Sequence, residues 1–346
     1  MKRIFILLVA SLLLFVGAVF AEESVLIDFS LLTADLDNGQ NRQTVMDYGQ
    51  VAGASFTQDQ RAAMKTSLAI ENWDVFFTAS SRTIATISNS FTREAPSRQW
   101  GTVMGVRVHF PLENFYSKAT IRPPFEIPAF EPLADIDNQG NIQPTGSNGI
   151  TGPSRFEDGF GIVKNVGTIR SVAVNVYGLN FPHALYVLLV DDLGNERAVF
   201  MGYLNFDGWA ELTWNNPQYI FDVRDRELRL YPLYPNSMPF VRFAGFRIDR
   251  DADAVGGDFI GYFKDVKLIY DKAVLDVDRD IDDEALWNII RDRETGRRIR
   301  EMERFGQLQI QRHLDYERQA REAFDPLFGT NVQERYGFTP TPTLNQ

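Results

Sequence analysis

Three histidines, His109, His183 and His313, are the side chains whose ordinary pKa suits proton transfer near neutral pH. His109 alternates with Arg107 on what reads as the polar face of a strand. His183 follows Pro182 ahead of an apolar run, and His313 lies in a charged helical stretch. None stands in a nucleophile motif such as G-x-S-x-G, and a Ser-His-acid triad would need one of them beside a serine and a carboxylate. Glycoside cleavage needs two carboxylates held at a fixed separation. No strand carries the alternating acids that would supply them. A Gly-x-Gly-x-x-Gly turn after a strand is also absent, so nucleotide binding has no support. The chain has no cysteine, which excludes thiol catalysis, zinc–thiolate sites, disulfides and lipid attachment through cysteine.

Two acidic runs resemble calcium loops. Asp249-Arg250-Asp251-Ala252-Asp253 is followed by Ala254, where the EF-hand pattern demands glycine, and Ile260 stands in the closing position. Asp135-Ile136-Asp137-Asn138-Gln139-Gly140 has the glycine and lacks the closing glutamate. Both read as polar turns, so no catalytic residue, cofactor or metal is expected. Five tryptophans, Trp73, Trp100, Trp209, Trp214 and Trp287, could stack on sugar rings, although core packing competes for each. Trp209 and Trp214 have opposite parity on one strand, so they cannot both face a core. An outward Trp209 would make Phe206-Asp207-Gly208-Trp209 a contact patch.

The elements around these residues read as mainly β. Aromatic residues are 13% of the chain, with 27 Phe and 12 Tyr, and they suit a pleated, half-buried surface. Met104, Val106, Val108 and Phe110 alternate on one face, as do Val172, Val174 and Val176, and Val266, Leu268 and Tyr270. Strands are also expected over 25–29, 73–78, 184–190, 197–203, 209–214, 227–231 and 241–249. Asp191-Asp192-Leu193-Gly194-Asn195 is a hairpin turn. Thr57-Gln58-Asp59-Gln60 is a capping box opening a helix over 58–67. Residues 113–154 carry six prolines, which predicts a long connection with short edge strands at most. Short strands split by such turns indicate an antiparallel β-sandwich, with a jelly roll as the preferred topology.

The organisation follows in four parts. Met1–Ala21 has a Lys2-Arg3 start, an apolar run from Ile4 to Phe20 and small residues at Val19 and Ala21. That is a secretory signal peptide with cleavage between Ala21 and Glu22. No other apolar run approaches a membrane-spanning length, so no membrane contact is expected after its removal. Residues 22–275 form the sandwich, 276–325 a charged helical extension and 326–346 a flexible tail. In the extension, Leu286, Ile289, Ile290, Ile299, Met302 and Phe305 form an apolar stripe, and Gly296 and Gly306 predict two or three helical pieces. Nine arginines against seven acids between Arg291 and Glu322 leave a surplus of two, on an exported chain of −13 that is otherwise −15. So acidic a chain is a poor binder of nucleic acid. Arg297, Arg298, Arg300 and Arg304 are instead candidates for contact with an acidic neighbour.

The run RFEDGFGIVKNVGTIRSVAVNVYGLNFPHALYVLLV from Arg155, FMGYLNFDGWAELTWNNPQYI from Phe200 and GGDFIGYFKDVKLIYDKAV from Gly256 carry the chain's most specific text. With ESVLIDF at 23–29 and the Arg/Glu-rich helix after Ile281, they resemble the spirochaete flagellar filament outer-layer (sheath) protein family, FlaA. The resemblance implies a structural protein in the periplasm that surrounds core flagellin subunits, pairs with itself or other sheath proteins, and contributes to filament stiffness and motility. The resemblance itself labels no functional residues; the proline-rich connection, Trp209, Trp214 and the arginines Arg297, Arg298, Arg300 and Arg304 are the candidate assembly or glycan contacts. A carbohydrate-binding, lectin-like module is the alternative reading of the same sandwich, and the two overlap if the core flagellin carries a glycan.

Overall fold

A computed structural model of the chain describes residues 21–113, 116–143, 152–228, 238–273, 280–281, 283–322, 324–325 and 330–331. Nearly all of the segments expected to be a signal peptide (1–21) and a flexible tail (326–346) lie outside the described residues. Two six-stranded antiparallel sheets face one another. The strands are β1 (Glu22–Asp28), β2 (Asp74–Phe77), β3 (Phe91–Ser97), β4 (Gly101–Phe110), β5 (Lys118–Arg122) and β6 (Ile162–Lys164), then β7 (Val166–Leu179), β8 (Ala184–Asp191), β9 (Glu196–Tyr203), β10 (Asp207–Asn215), β11 (Phe240–Asp249) and β12 (Gly257–Lys272). The first sheet runs β10-β7-β12-β4-β3, with β1 also on β12. The second runs β9-β8-β11-β5-β2, with β6 also on β11. The chain passes repeatedly from one sheet to the other, in the manner expected of a jelly roll.

The alternating faces read from the sequence meet between the sheets. Met104, Val106, Val108 and Phe110 on β4, Val172, Val174 and Val176 on β7, and Val266, Leu268 and Tyr270 on β12 are all buried. Phenylalanines bridge the layers. Phe246 on β11 stacks on Phe263 of β12 at 4.3 Å between centroids, and Phe29, Phe243 and Trp73 pack around them at 5.1–6.3 Å. Close-packed aromatics of this kind contribute beyond their area, by about 0.5–1.5 kcal/mol per pair. At Gly245 (φ +128°) β11 presses on β5 so closely that a Cβ would meet the Ile121 carbonyl oxygen at 2.0 Å.

Several local readings need correction. The capping box at Thr57 is present, but its helix α1 (Gln58–Ala62) stops five residues short of the expected end, because Lys65–Thr66 pairs with Met46–Asp47. The proline-rich connection contains an interior strand. Lys118–Arg122 precedes the first of the prolines, keeps all its N–H donors and pairs with both β2 and β11. Residues 227–228 of the strand expected at 227–231 end helix α3 (Tyr219–Leu228), which follows the short α2 (Ile84–Ser88) in the chain. Asn216 starts α3 by accepting from Gln218 N–H, and Tyr219 anchors it by donating to Asp271 at 2.7 Å. Residues 229–231 of that expected strand lie outside the described ones.

After a short helix α4 (Asp283–Trp287), the charged extension is one continuous 34-residue helix, α5 (Ile289–Glu322), where two or three pieces were expected. Gly306 does not break it. A Cβ there would lie 2.5 Å from a methyl of Val51, so the glycine lets the helix settle on the body. Met302 and Phe305 face inward, but Leu286 and Ile299 are exposed, so the expected single stripe divides between two faces.

Candidate assembly surfaces

Trp209 and Trp214 lie on opposite faces of β10, as their parity requires. Trp214 pairs across the strands with Val172 and packs against the core. Its inward side continues the apolar layer of β7, and it remains partly exposed. Trp209 points to the outer face of the first sheet, opposite Tyr177 of β7, which in turn pairs with Tyr262 of β12. The ring centroids are 5.4 and 6.0 Å apart, and Trp100, from the β3–β4 turn, meets Trp209 at 6.3 Å. Interplanar angles of 76–77° make these edge-to-face contacts rather than one flat platform. Beside them lies a polar knot. Lys264 donates to Asp28 at 2.7 Å and to Asp265 at 3.3 Å; Ser30 donates to Asp28, and Asn175 to Asp265. All four carboxylate oxygens of this pair accept a hydrogen bond from within the fold.

The arginines divide similarly. Arg297, Arg300 and Arg304 line a groove of about 340 Å³ between α5, the segment 126–130 and the β8–β9 hairpin. Arg298 lies outside this lining, where its charge acts on half-buried Glu131. The groove floor is Arg242, buried on β11, which pairs with Glu126 and, at 2.9 Å, with Glu301 of α5. Glu301 also accepts from the N–H groups of Ala129 and Phe130 at 3.0 Å. Burial raises the Glu301 pKa, and the Arg242 guanidinium and those two amides oppose the rise. Arg304 pairs with Glu126 at 2.9 Å, and Arg297 stands over the Phe130 ring at 5.4 Å. Arg242, Glu126 and Glu301 were not singled out from the sequence. A charge inside the apolar run FVRFAGF was the available signal.

The remaining candidates for chemistry are structural. His183 is buried among Phe110, Phe181 and Phe259, and burial lowers its pKa to about 4. Its Nδ1 accepts from the Asp251 N–H at 3.2 Å. His109 and Arg107 both bind Asp258, at 2.8 and 2.7 Å, and hydrogen bonding from Arg107 leads the causes that lower that carboxyl's pKa. His313 packs edge-on against Phe56. The Asp137 carboxylate closes its own turn, with the Asn141 backbone N–H first among the donors that lower its pKa to about 2. No group of three His, Asp or Glu side chains suited to a metal ion occurs among the described residues.

These features define a two-sheet antiparallel sandwich with a docked charged helix. The model of the family described as "Flagellar filament outer layer protein Flaa" matches residues 37–279. The flagellar filament outer layer protein of Treponema pallidum (strain Nichols) is 49% identical over 348 residues, covering 96% of this chain and 99% of that protein. Its namesake in Spirochaeta aurantia is 44% identical, covering 93% and 95%. The chain belongs to the flagellar filament outer layer protein family. Among solved structures, a carbohydrate-binding module of the β-sandwich superfamily aligns at 8% identity and TM-score 0.27, covering 57% of each chain. The family 11 carbohydrate-binding module of Clostridium thermocellum Lic26A-Cel5E aligns at 7% identity and TM-score 0.26, covering 60% of this chain and 91% of that one.

Proposed function

We propose that this chain is a non-enzymatic structural subunit of the outer layer of a periplasmic flagellar filament. It is exported by its signal peptide, cleaved between Ala21 and Glu22, and assembled around core flagellin. The sandwich of 22–275 is the rigid body, and the extension of 276–325 adds a charged strut along it. Near-complete coverage at 49% identity to a protein named for that layer carries the reading. Physical economy supports it. A coat subunit needs a stiff body and several weak lateral contacts. A millimolar contact is worth about −4 kcal/mol, and repetition on a lattice raises its effective concentration.

Reconstitution tests this. The mature chain, added to core filaments stripped of their outer layer, should sediment with them and increase their diameter. Filaments that stay bare across a saturating range of protein would contradict it. The outward Trp209 beside Tyr177, Tyr262 and Trp100 favours one further reading, a sugar contact on glycosylated core flagellin. Glycan-array binding that disappears in Trp209→Ala would support that contact; an array with no binding would remove it.

A further inference from the structure

The two ends of the second sheet differ in shape and charge. In the β8–β11 pairing, Ala184 opposes Asp249 at one end and Asp191 opposes Val241 at the other. Eight strand residues separate these ends by about 25 Å. The first end is a knob, the β11–β12 turn. Its Val255 is 86% exposed, neighbouring Leu112 is 65% exposed, and Asp253 is exposed beside Val255. The knob is braced from below. Arg250 is buried and donates from Nη1 to the Pro111 carbonyl at 2.6 Å and from Nε to the Ala254 carbonyl at 3.1 Å. The backbone at Gly256 lies directly on Pro111 and Leu112. The turn therefore presents two exposed apolar side chains and a carboxylate on a fixed support.

The opposite end holds the arginine groove. Its apolar walls are Phe130, Phe240, Leu308 and Leu193, the last 80% exposed at the tip of the β8–β9 hairpin. The charges inside it are largely spent. Arg242 and Arg304 answer Glu126 and Glu301. Asp191 accepts from Leu193 N–H and from both Asn195 nitrogens of its own turn, and Asp192 is engaged within the chain. Arg297 and Arg300 remain, with no ion pair to a described residue.

Resting on the coat reading above, we infer that the Val255 knob of one copy seats in the Arg297–Arg300 groove of the next. Val255 enters between Phe130 and Leu308, and Asp253 meets the two guanidiniums. The occupant is a second copy of this chain, because knob and groove stand at opposite ends of one rigid sheet with matching chemistry. Such a head-to-tail contact uses two different patches, so it does not saturate in a dimer and generates rows. A coat on a long filament requires that property. The contact is weak alone and is completed by the filament beneath it.

The test uses full mature chains on stripped core filaments, read by co-sedimentation isotherms, with melting curves to confirm that each variant is folded. The wild-type chain should bind cooperatively. Arg297→Glu with Arg300→Glu disables the groove, and Asp253→Lys with Val255→Lys disables the knob; all four positions are partly or fully exposed. Each double variant should bind the filament without cooperativity, its half-saturation shifted at least tenfold. Mixed in equal amounts, the two should form a 1:1 dimer in concentrated solution, since one intact knob meets one intact groove. A triple variant, Arg297→Glu with Arg300→Glu and Asp253→Lys, exchanges the charges while keeping Val255 and should regain cooperative binding. Folded double variants that coat filaments as cooperatively as wild type, or a mixture that forms no dimer, would overturn the inference and leave the coat reading intact. Failure of the wild-type chain to bind filaments at all would instead strike the coat reading.

Discussion

The sandwich interior and the seam under α5 are built on opposite principles. The interior is a continuous aromatic and aliphatic layer in which Phe29, Phe243, Phe246 and Phe263 touch across the sheets. The seam is held largely by charge and amide. Arg242 bridges Glu126 and Glu301, Arg312 pairs with Asp74, and Gln309 donates to the Pro124 carbonyl at 3.0 Å. Only a few apolar groups, chiefly Phe305 against Phe125 and Tyr48, join them. Apolar burial is non-directional and scales with area, so the body should unfold as one unit. A charged seam depends on geometry, and removing one partner leaves the others buried without compensation. The difference predicts that the strut detaches while the sandwich stays folded.

The largest expected effect breaks the interior. Phe246→Ala should cost about 3–5 kcal/mol and lower the midpoint of the whole denaturation curve. Next, Arg242→Ala leaves Glu126 with Arg304 alone and Glu301 with the Ala129 and Phe130 amides, and should cost about 1.5–3 kcal/mol at the seam. Limited proteolysis should then cut within 289–322 before the sandwich melts. Simultaneous loss of both would show that the seam is no separate unit.

A pH experiment sharpens the same contrast. Folded His183 titrates near 4 and an unfolded histidine near 6.5, so the unfolded chain takes the proton first. Stability is therefore full above pH 6.5 and falls as pH drops toward 4, by about 3 kcal/mol in all. Chemical denaturation at pH 7.5 and 4.5 measures it, and His183→Phe should remove that part of the slope. Protonation also ends the acceptor role of Nδ1 toward Asp251, so the knob should loosen first in hydrogen exchange. The smallest effect is steric. Gly306→Val should displace α5 from Val51, costing about 1–3 kcal/mol at the seam and leaving the sandwich midpoint unchanged.

The contrast also explains what was legible in the sequence. Strands with one buried face announce themselves by alternation, so the inward residues of β4, β7 and β12 were readable. Trp209 and Trp214 could be assigned to opposite faces by parity, although which of them faced outward needed the β7 pairing. The interior strand Lys118–Arg122 was hidden by the prolines around it, because proline density describes a region and not each segment within it. Gly306 read as a helix breaker because a glycine that permits close approach looks the same in sequence as one that ends a helix. The Arg242 cluster joins residues 126, 242 and 301, and no local pattern reports a contact across such separations.

The account rests most directly on the filament itself. Electron cryomicroscopy of filaments from cells lacking this chain should show a thinner filament, restored to full diameter by the wild-type gene. Filaments of unchanged diameter and outer density in those cells would contradict it.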